Sequence, residues 1–419
     1  MKKNDFSLSD LLKLILSLVI LPVIQAVPAD AEEVISLPNG YSEDGLWLYN
    51  DYGDGTVSVN CQDNTVTEIE IPSEIDGHVI TMVEVDCFKD NPDLKKVTLP
   101  DTITVIEDYA FYQCYGLEEI NIPESVEKIG FQAFYGCALT EVTIPAGVTE
   151  IEGFAFEGCN SLKAIHVSKA NPNYLDQDGI LFNHDKTELI LYPSAKADTS
   201  YTVPAGCTKL ESYAFMANQS LQQIDISVVQ EMGEDVFYYC TSLQEITIPD
   251  GITELKGSAF GNCTSLKKIT LPEGITNLGS GCFYNCVMLE EIQLPESLTG
   301  MNDYAFFNCG SLKRLTIPER VTTIGDYALG WYYGSDNGNT GDENGGQDDY
   351  KRLPDFEIDA DNGTAAFEYA AKNSIKCTGG ITQGVVFVYI VLGVVVLVIL
   401  AVIGLVIMQK RYQKEHELN

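Results

Sequence analysis

The sequence predicts a solenoid, in which short coils stack into one elongated domain with a shared core. Nine phenylalanines recur every 22 or 23 residues, apart from a single gap of 59 residues, and each is followed five or six residues later by a leucine. Beyond each leucine, apolar and polar residues alternate as in a strand with one buried face. One coil offers too few inward side chains to bury them alone, so the coils must stack. The repeat phenylalanines are Phe88, Phe111, Phe134, Phe156, Phe215, Phe237, Phe260, Phe283 and Phe306.

Residues 1–31 have the three parts of a secretory signal peptide. Lys2 and Lys3 open the chain, an apolar run covers residues 14–24, and Ala29 and Ala31 form an A-x-A site. We expect cleavage after Ala31. The alternative is an N-terminal membrane anchor, but the apolar run is shorter than the ~20 residues that a spanning helix needs.

The repeats occupy residues 86–330, and both ends of such an array must be covered. Residues 32–85 are expected to form an N-terminal hairpin and cap, with the hairpin turning around Asp54 and Gly55. Residues 354–380 are expected to form the C-terminal cap.

Two segments interrupt the period. We interpret residues at about 168–205 as a hairpin insertion that turns at residues 183–186. Residues 331–353 contain a polar, acidic loop. That loop is either simply solvated or a calcium site, because carboxylate oxygens are the ligands that calcium prefers. Its carboxylates are Asp336, Asp342, Glu343, Asp348 and Asp349.

The C-terminal segment predicts a membrane anchor. Residues 385–408 are 24 consecutive residues without a charge, long enough to cross a bilayer as one helix. Lys410, Arg411 and Lys414 follow, and the positive-inside rule places the tail, residues 409–419, in the cytoplasm. We therefore expect a single-pass protein with an extracellular ectodomain at the cell membrane of a bacterium.

The repeat unit resembles a known family. Its pattern, I-x-x-I-G-x-x-A-F-x-x-C-x-x-L-x-x-I-x-I-P-x-x-V, is similar to the BspA-like leucine-rich repeat of bacterial and some protozoan surface proteins, and the resemblance covers residues 45–377. It implies a right-handed superhelix with short parallel β-strands, one per coil of about 23 residues. It is less specific for function.

Seven of the twelve cysteines lie three residues after a repeat phenylalanine, and Asn91 and Asn218 take that place in two other coils. We expect buried free thiols there, because β-carbons on stacked coils lie farther apart than the ~3.8 Å that a disulfide prefers. The shared use of Cys and Asn suggests a side chain that donates to turn carbonyls. Disulfides are the alternative for a secreted chain, and Cys61, Cys207 and Cys377 have no predicted role.

The composition disfavours several classes of protein. The net charge of −36 excludes nucleic-acid binding through basic patches. The four histidines are scattered in sequence and no nucleophile motif occurs, so we expect no catalytic residues, no metal site and no cofactor.

Two sets of residues are candidate binding surfaces. Charged pairs at outward strand positions alternate in sign from coil to coil, and they either stabilise the stack through ion pairs or form a ligand-binding face. Tyrosines beside the repeat phenylalanines supply stiff, amphipathic rings suited to protein or glycan contacts. The candidate residues are Lys267, Lys268, Glu290, Glu291, Lys313, Arg314, Tyr238, Tyr239 and Tyr284.

These observations favour a non-enzymatic adhesion or interaction protein that presents its repeats to host extracellular proteins or glycans, or to other microbial surfaces. The alternative is a ligand-sensing receptor subunit that signals through a membrane partner. Deleting residues 410–419 separates the two, since adhesion should survive and sensing should fail. A structural role in the envelope is the third hypothesis.

Overall fold

A computed structural model describes residues 40–334 and 350–379. The predicted signal peptide, the acidic residues between Asp336 and Asp349, the span at 385–408 and the tail lie outside these ranges. Within the described ranges, no helix has the length and apolar character required to cross a membrane.

The secondary structure consists of short strands and one helix. The N-terminal part contains β1 (Gly40–Tyr41), β2 (Trp47–Asp51), β3 (Thr56–Cys61), β4 (Glu68–Glu70), β5 (Glu74–Ile75) and β6 (His78–Val83). The coils before the insertion contain β7 (Lys96–Thr98), β8 (Val105–Ile106), β9 (Glu119–Ile120), β10 (Lys128–Ile129), β11 (Glu141–Ile144), β12 (Glu150–Ile151) and β13 (Ala164–Val167). The insertion contains β14 (Tyr174–Gln177), β15 (Ile180–Asn183) and β16 (Glu188–Leu191).

The remaining elements follow the insertion. The coils contain β17 (Ser200–Thr202), β18 (Lys209–Leu210), β19 (Gln223–Asp225), β20 (Glu231–Met232), β21 (Glu245–Thr247), β22 (Glu254–Leu255), β23 (Lys268–Thr270), β24 (Asn277–Leu278), β25 (Glu291–Ile292), β26 (Gly300–Met301), β27 (Arg314–Thr316) and β28 (Thr323–Ile324). The C-terminal part contains β29 (Trp331–Tyr333), β30 (Tyr350–Arg352), β31 (Glu357–Asp359), α1 (Ala365–Lys372) and β32 (Lys376–Cys377).

The chain is a β-solenoid with two short strands in most coils, whereas the sequence predicted one. In the coil of β21 and β22, β21 buries Ile246 and β22 buries Leu255. The second strand arises because the apolar pair that precedes each phenylalanine also stacks in register, as Leu255 does on Leu278. After the insertion, the first strands form a parallel sheet of β17, β19, β21, β23 and β25, which we call the front sheet. The second strands form parallel sheets of their own, such as β22, β24, β26 and β28.

A sharp turn around each repeat phenylalanine closes the coil, and we call it the Phe turn. Residues two before and two after the phenylalanine adopt positive φ, as at Tyr109 (58°) and Gln113 (58°) on either side of Phe111. That left-handed conformation costs roughly 1–2 kcal/mol for a residue other than glycine. Hydrogen bonds from the turn to the next coil offset the cost, for example from the Phe111 N–H to Ala133 O at 2.8 Å.

The phenylalanine rings form a ladder inside the solenoid. Phe111 and Phe134 stack with their centroids 5.2 Å apart and their planes within 2°. The ladder stops at Phe156 and resumes where Tyr192, from the end of the insertion, stacks on Phe215 at 5.0 Å. The insertion therefore divides the interior into two apolar cores, one before it and one after it.

All twelve cysteines are free thiols, which confirms the prediction for the seven that follow a repeat phenylalanine by three residues. The seven that follow a phenylalanine by three residues donate from Sγ to the carbonyl of the phenylalanine of the preceding coil, at 3.0–3.2 Å. Asn218, at the same position, donates from Nδ2 to three carbonyls that include Pro193 O at 3.2 Å. The prediction that this position donates to turn carbonyls is confirmed.

Both ends of the stack are covered by elements of a different kind. At the N-terminal end, β2 and β3 form an antiparallel hairpin, and β3 pairs in parallel with β6. At the C-terminal end, β31 pairs in parallel with β27 and β32 pairs with β31. Thr364 is the N-cap of α1, and its Oγ1 accepts from the Phe367 N–H. Tyr369 of α1 is buried and its hydroxyl donates to Leu329 O at 3.3 Å.

Candidate functional site

The outer surface of the front sheet is the candidate binding face. Its strands bury the central residue and expose the residues on either side, as in β23, where Ile269 is buried between Lys268 and Thr270. The parallel register places Lys268 opposite Glu245 on one side and Glu291 on the other. Equivalent outward positions therefore form rows that run along the solenoid.

Two open grooves follow this face. One has a volume of about 690 Å³ and extends from Ser200 to Thr270, and the other, of about 390 Å³, extends from Lys268 to Pro295. They share Lys268 and Thr270, so the grooves are continuous.

The groove is predominantly acidic. Lys268 is the one basic residue that lines it among the described residues, against the carboxylates Asp225, Glu245, Asp250, Glu273 and Glu291. The backbone N–H and the hydroxyl of Ser227 hold the pKa of Asp225 below its usual value, so this carboxylate is ionised at neutral pH. Such a groove disfavours anionic ligands and can accept hydrogen bonds from amides, ammonium groups or sugar hydroxyls.

The predicted ion pairs between neighbouring strands of this face do not form. In the described part of the chain, no ion pair joins Lys267 or Lys268 to Glu290 or Glu291, although the strand register brings their backbones together. Exposed pairs gain little from ordering two long side chains, which explains why the charges extend into solvent. Ion pairs do form elsewhere on strands, between Lys96 and Glu119 at 2.8 Å and between Arg314 and Asp359 at 2.7 Å.

The tyrosines of the candidate set lie in Phe turns, away from the front sheet. Tyr238 and Tyr239 contact each other edge to face at 4.7 Å, and Tyr284 stacks on Phe307 at 5.5 Å. Tyr239 is 36% exposed, whereas Tyr238 and Tyr284 are half-buried. No ring or ion contact within the described ranges joins these tyrosines to the charged pairs, so the two sets are separate surfaces.

The second outward position of each front strand was not among the predicted site residues. There Thr202, Asp225, Thr247 and Thr270 form a continuous row of hydroxyl and carboxylate groups along the larger groove. The signal was present in the alternation itself, since each residue lies two positions after the first outward one.

Comparison with known proteins identifies the repeats. The family profile described as the BspA type leucine rich repeat region matches in six copies over residues 81–193 and 208–333. No protein with a curated description matches the chain.

Several solved structures are similar. A leucine-rich repeat protein from Eubacterium ventriosum is 22% identical, with 68% of this chain and 92% of that one covered and a TM-score of 0.53, and it supports the fold alone. A leucine rich cell surface protein from Faecalibacterium prausnitzii is 25% identical over 72% of this chain and 96% of that one, with a TM-score of 0.44. The pneumococcal vaccine antigen PcpA is 20% identical over 81% and 97% of the two chains, with a TM-score of 0.47. The profile covers more than half of the sequence, and the protein therefore belongs to the BspA-type leucine-rich-repeat family.

Proposed function

We propose that this protein is a non-enzymatic cell-surface protein that binds extracellular proteins or glycans through the outer face of the front sheet, and so mediates adhesion. The observation that carries the proposal is the acidic groove, whose charged side chains form no ion pair with any described residue. Charges that do not stabilise the stack are available to a ligand. Membership in a family of bacterial surface proteins supports the location.

In this proposal the ends of the chain hold the repeats at the surface. Residues 1–31 direct export, and residues 385–408 anchor the repeats to the membrane. We prefer the front face to the tyrosine surface because the rings of Tyr238 and Tyr284 are partly covered by the neighbouring rings of Tyr239 and Phe307.

The first test is binding of the purified chain to arrays of matrix proteins and glycans at physiological salt. A double variant, Lys267→Glu with Lys268→Glu, should change the affinity of any ligand found there at least tenfold, because it makes the outward positions of three adjacent strands acidic. The matched control is Lys95→Glu with Lys163→Glu, two exposed lysines at equivalent positions before the insertion that form no ion pair among the described residues, and it should leave that affinity unchanged.

The stability of each variant shows whether the charged residues stabilise the stack of coils or form a ligand-binding face. If the Lys267 and Lys268 variant loses stability while its binding is unaltered, the charged rows only fix register and the proposal is wrong. Saturable binding that the variant changes, with a stability loss below about 1 kcal/mol, supports the binding face.

A further inference from the structure

Three backbone N–H groups of each Phe turn normally bond to the next coil. They belong to the phenylalanine and to the residues two before and two after it. The pattern recurs on both sides of the insertion, and it links the turns of neighbouring coils through main-chain atoms alone. In the coil of Phe134 the three bonds run from Gln132 to Gly153 O at 3.3 Å, from Phe134 to Ala155 O at 2.8 Å and from Gly136 to Glu157 O at 2.9 Å.

The coil of Phe156 is the exception. Its three donors are the N–H groups of Phe154, Phe156 and Gly158, and none of them donates a backbone hydrogen bond in the part of the chain that the structure describes. By position, Ala214 O should accept from Phe156, but the N–H of Tyr192 occupies it at 2.7 Å. The insertion thus completes the following coil and leaves the donors of the preceding one unpaired.

A cleft of about 530 Å³ lies beside the N–H groups of Phe154 and Phe156, and a much smaller pocket that shares Phe156 and Glu157 with it reaches Gly158. One wall is formed by residues 151–157, and the other by the insertion and by residues 211–213. The ring of Phe154 contacts Tyr213 edge to face at 4.6 Å across the junction. The aromatic and aliphatic side chains that line the cleft include Phe156, Tyr174 and Ile190, so the cleft has apolar walls.

Carboxylates give the cleft its charge. Glu152, Glu157, Glu188 and Glu211 line it, and none of the described lining residues is basic. Lys128 pairs with Glu152, and Lys209 pairs with Glu188 and Glu211 from outside the cleft.

Glu157 differs from the other three carboxylates. It is only 9% exposed and no described residue forms an ion pair with it. Burial raises its pKa to about 7, although a hydrogen bond with Gln132 acts in the opposite direction. Its carboxylate is the group in the cleft that would gain most from an added cation.

We propose that this cleft binds a short peptide segment of a partner protein that carries a Lys or Arg side chain. The peptide carbonyls accept from the N–H groups of Phe154, Phe156 and Gly158, as the main chain of the next coil does elsewhere, and the basic side chain pairs with Glu157. An anionic ligand is disfavoured by the four carboxylates. A neutral apolar ligand would leave the amide donors without acceptors, at a cost in binding free energy.

This cleft is separate from the grooves of the front sheet, and the two proposals can fail independently. Recognition by added main-chain hydrogen bonds together with a side-chain pocket is a known mode of peptide binding. Here the donors are those of a Phe turn, and the apolar walls hold the stem of the basic side chain.

The test is residue-resolved hydrogen exchange of the purified full chain at about 0.15 M salt, where nonspecific attraction is screened beyond about 8 Å. Without peptide, the amides of Phe154, Phe156 and Gly158 should exchange on the order of tenfold or more faster than Gln132, Phe134 and Gly136, their bonded counterparts. Exchange at equal rates would remove the basis of the proposal.

The probes are three pools of N-acetylated, C-amidated tetrapeptides that carry lysine, norleucine or glutamate at one position and random uncharged residues at the others. The lysine pool should protect the three amides at least fivefold more than the norleucine pool, and the glutamate pool should not protect them. Protection by no pool, or equal protection by the lysine and norleucine pools, would overturn the proposal.

The variant Glu157→Gln should abolish the difference between the lysine and norleucine pools while keeping the protection that the peptide backbone provides. Glu118→Gln, which removes an exposed carboxylate in another coil, is the matched control and should preserve the difference. A lysine preference that persists in the Glu157→Gln protein would show that the overall negative charge, and not this carboxylate, attracts the peptide.

Discussion

Leu181 and Phe182 are consecutive residues of β15, yet their side chains are buried in different cores. Leu181 packs into the core that precedes the insertion, and Phe182, together with Ile180, packs into the core that follows it. Alternate residues of a strand point to opposite faces, so a strand between two cores must be apolar on both. Strand β15 of the insertion therefore lies between the two cores and contributes side chains to both.

This relationship predicts that the two residues stabilise different halves of the protein. Leu181→Ala should cost about 2–5 kcal/mol and speed amide exchange mainly in coils before the insertion, because it opens a cavity in that core. Phe182→Ala should cost about 3–5 kcal/mol and act mainly on coils after it. Hydrogen exchange by mass spectrometry measures both. Loosening of the same half by both variants would contradict the assignment of β15 to two cores.

The bond from Cys263 Sγ to Phe237 O, 3.1 Å long, predicts unequal effects of two cysteine substitutions. Cys263→Ala should destabilise the protein by about 1 kcal/mol more than Cys282→Ala, because only the first removes a hydrogen bond between coils. Cys282 is the matched control, since it is also fully buried and occupies the position that is Ala in neighbouring coils, such as Ala259 and Ala305. Denaturant unfolding under reducing conditions gives both values. Equal losses would show that the thiol acts only by filling space.

The buried thiols predict a loss of stability at alkaline pH. Burial raises the pKa of Cys240 and Cys309 to about 12, whereas an unfolded cysteine ionises near about 8.5. The folded chain then holds protons that the unfolded chain releases, so this contribution is complete below pH ~8.5 and is lost as the pH rises toward 12.

Thermal unfolding between about pH 7 and 10 under reducing conditions measures the effect. Burial also raises the pKa of Tyr304 to about 12, so Tyr304 likewise lowers the stability of the folded protein as the pH rises. The contribution of Cys240 is therefore isolated by comparing the unmodified protein with a Cys240 variant. Cys240→Ala should lose less stability over this range than the unmodified protein. Parallel curves for the two proteins would show that Cys240 does not contribute.

The ion pair of Arg314 with Asp359 predicts a small, salt-dependent contribution to docking of the C-terminal cap. Arg314 Nη2 lies 2.7 Å from Asp359 Oδ2, and the Arg314 side chain is about half exposed. Arg314→Ala should therefore cost at most about 1 kcal/mol, and less at about 1 M salt, where the screening length falls to about 3 Å. The melting temperature at low and high salt tests this. Lys313→Ala, which removes a neighbouring charge without an ion pair in the described residues, should have no comparable salt dependence.

Much of the fold follows from short-range patterns in the sequence. The 23-residue period placed the Phe ladder, and the exchange of Cys for Asn at one position indicated the donor role that Cys263 and Asn218 share. The sequence did not indicate two strands per coil, because a two-residue strand such as β22 has too few residues for a visible alternation. Nor did it indicate that the charged pairs of the front sheet remain unpaired, since ion pairing depends on side-chain conformations.

By itself, the sequence determined the class of the protein, because a repeated local pattern can be satisfied only by stacking one coil on the next. It also determined which residues face inward, since period-two alternation fixes one buried face. Only the tertiary structure decided where the stacking fails. In the insertion, the Tyr192 N–H donates to Ala214 O, which by position would accept from the Phe156 N–H. The unpaired amides and the cleft that result depend on contacts between residues far apart in the chain.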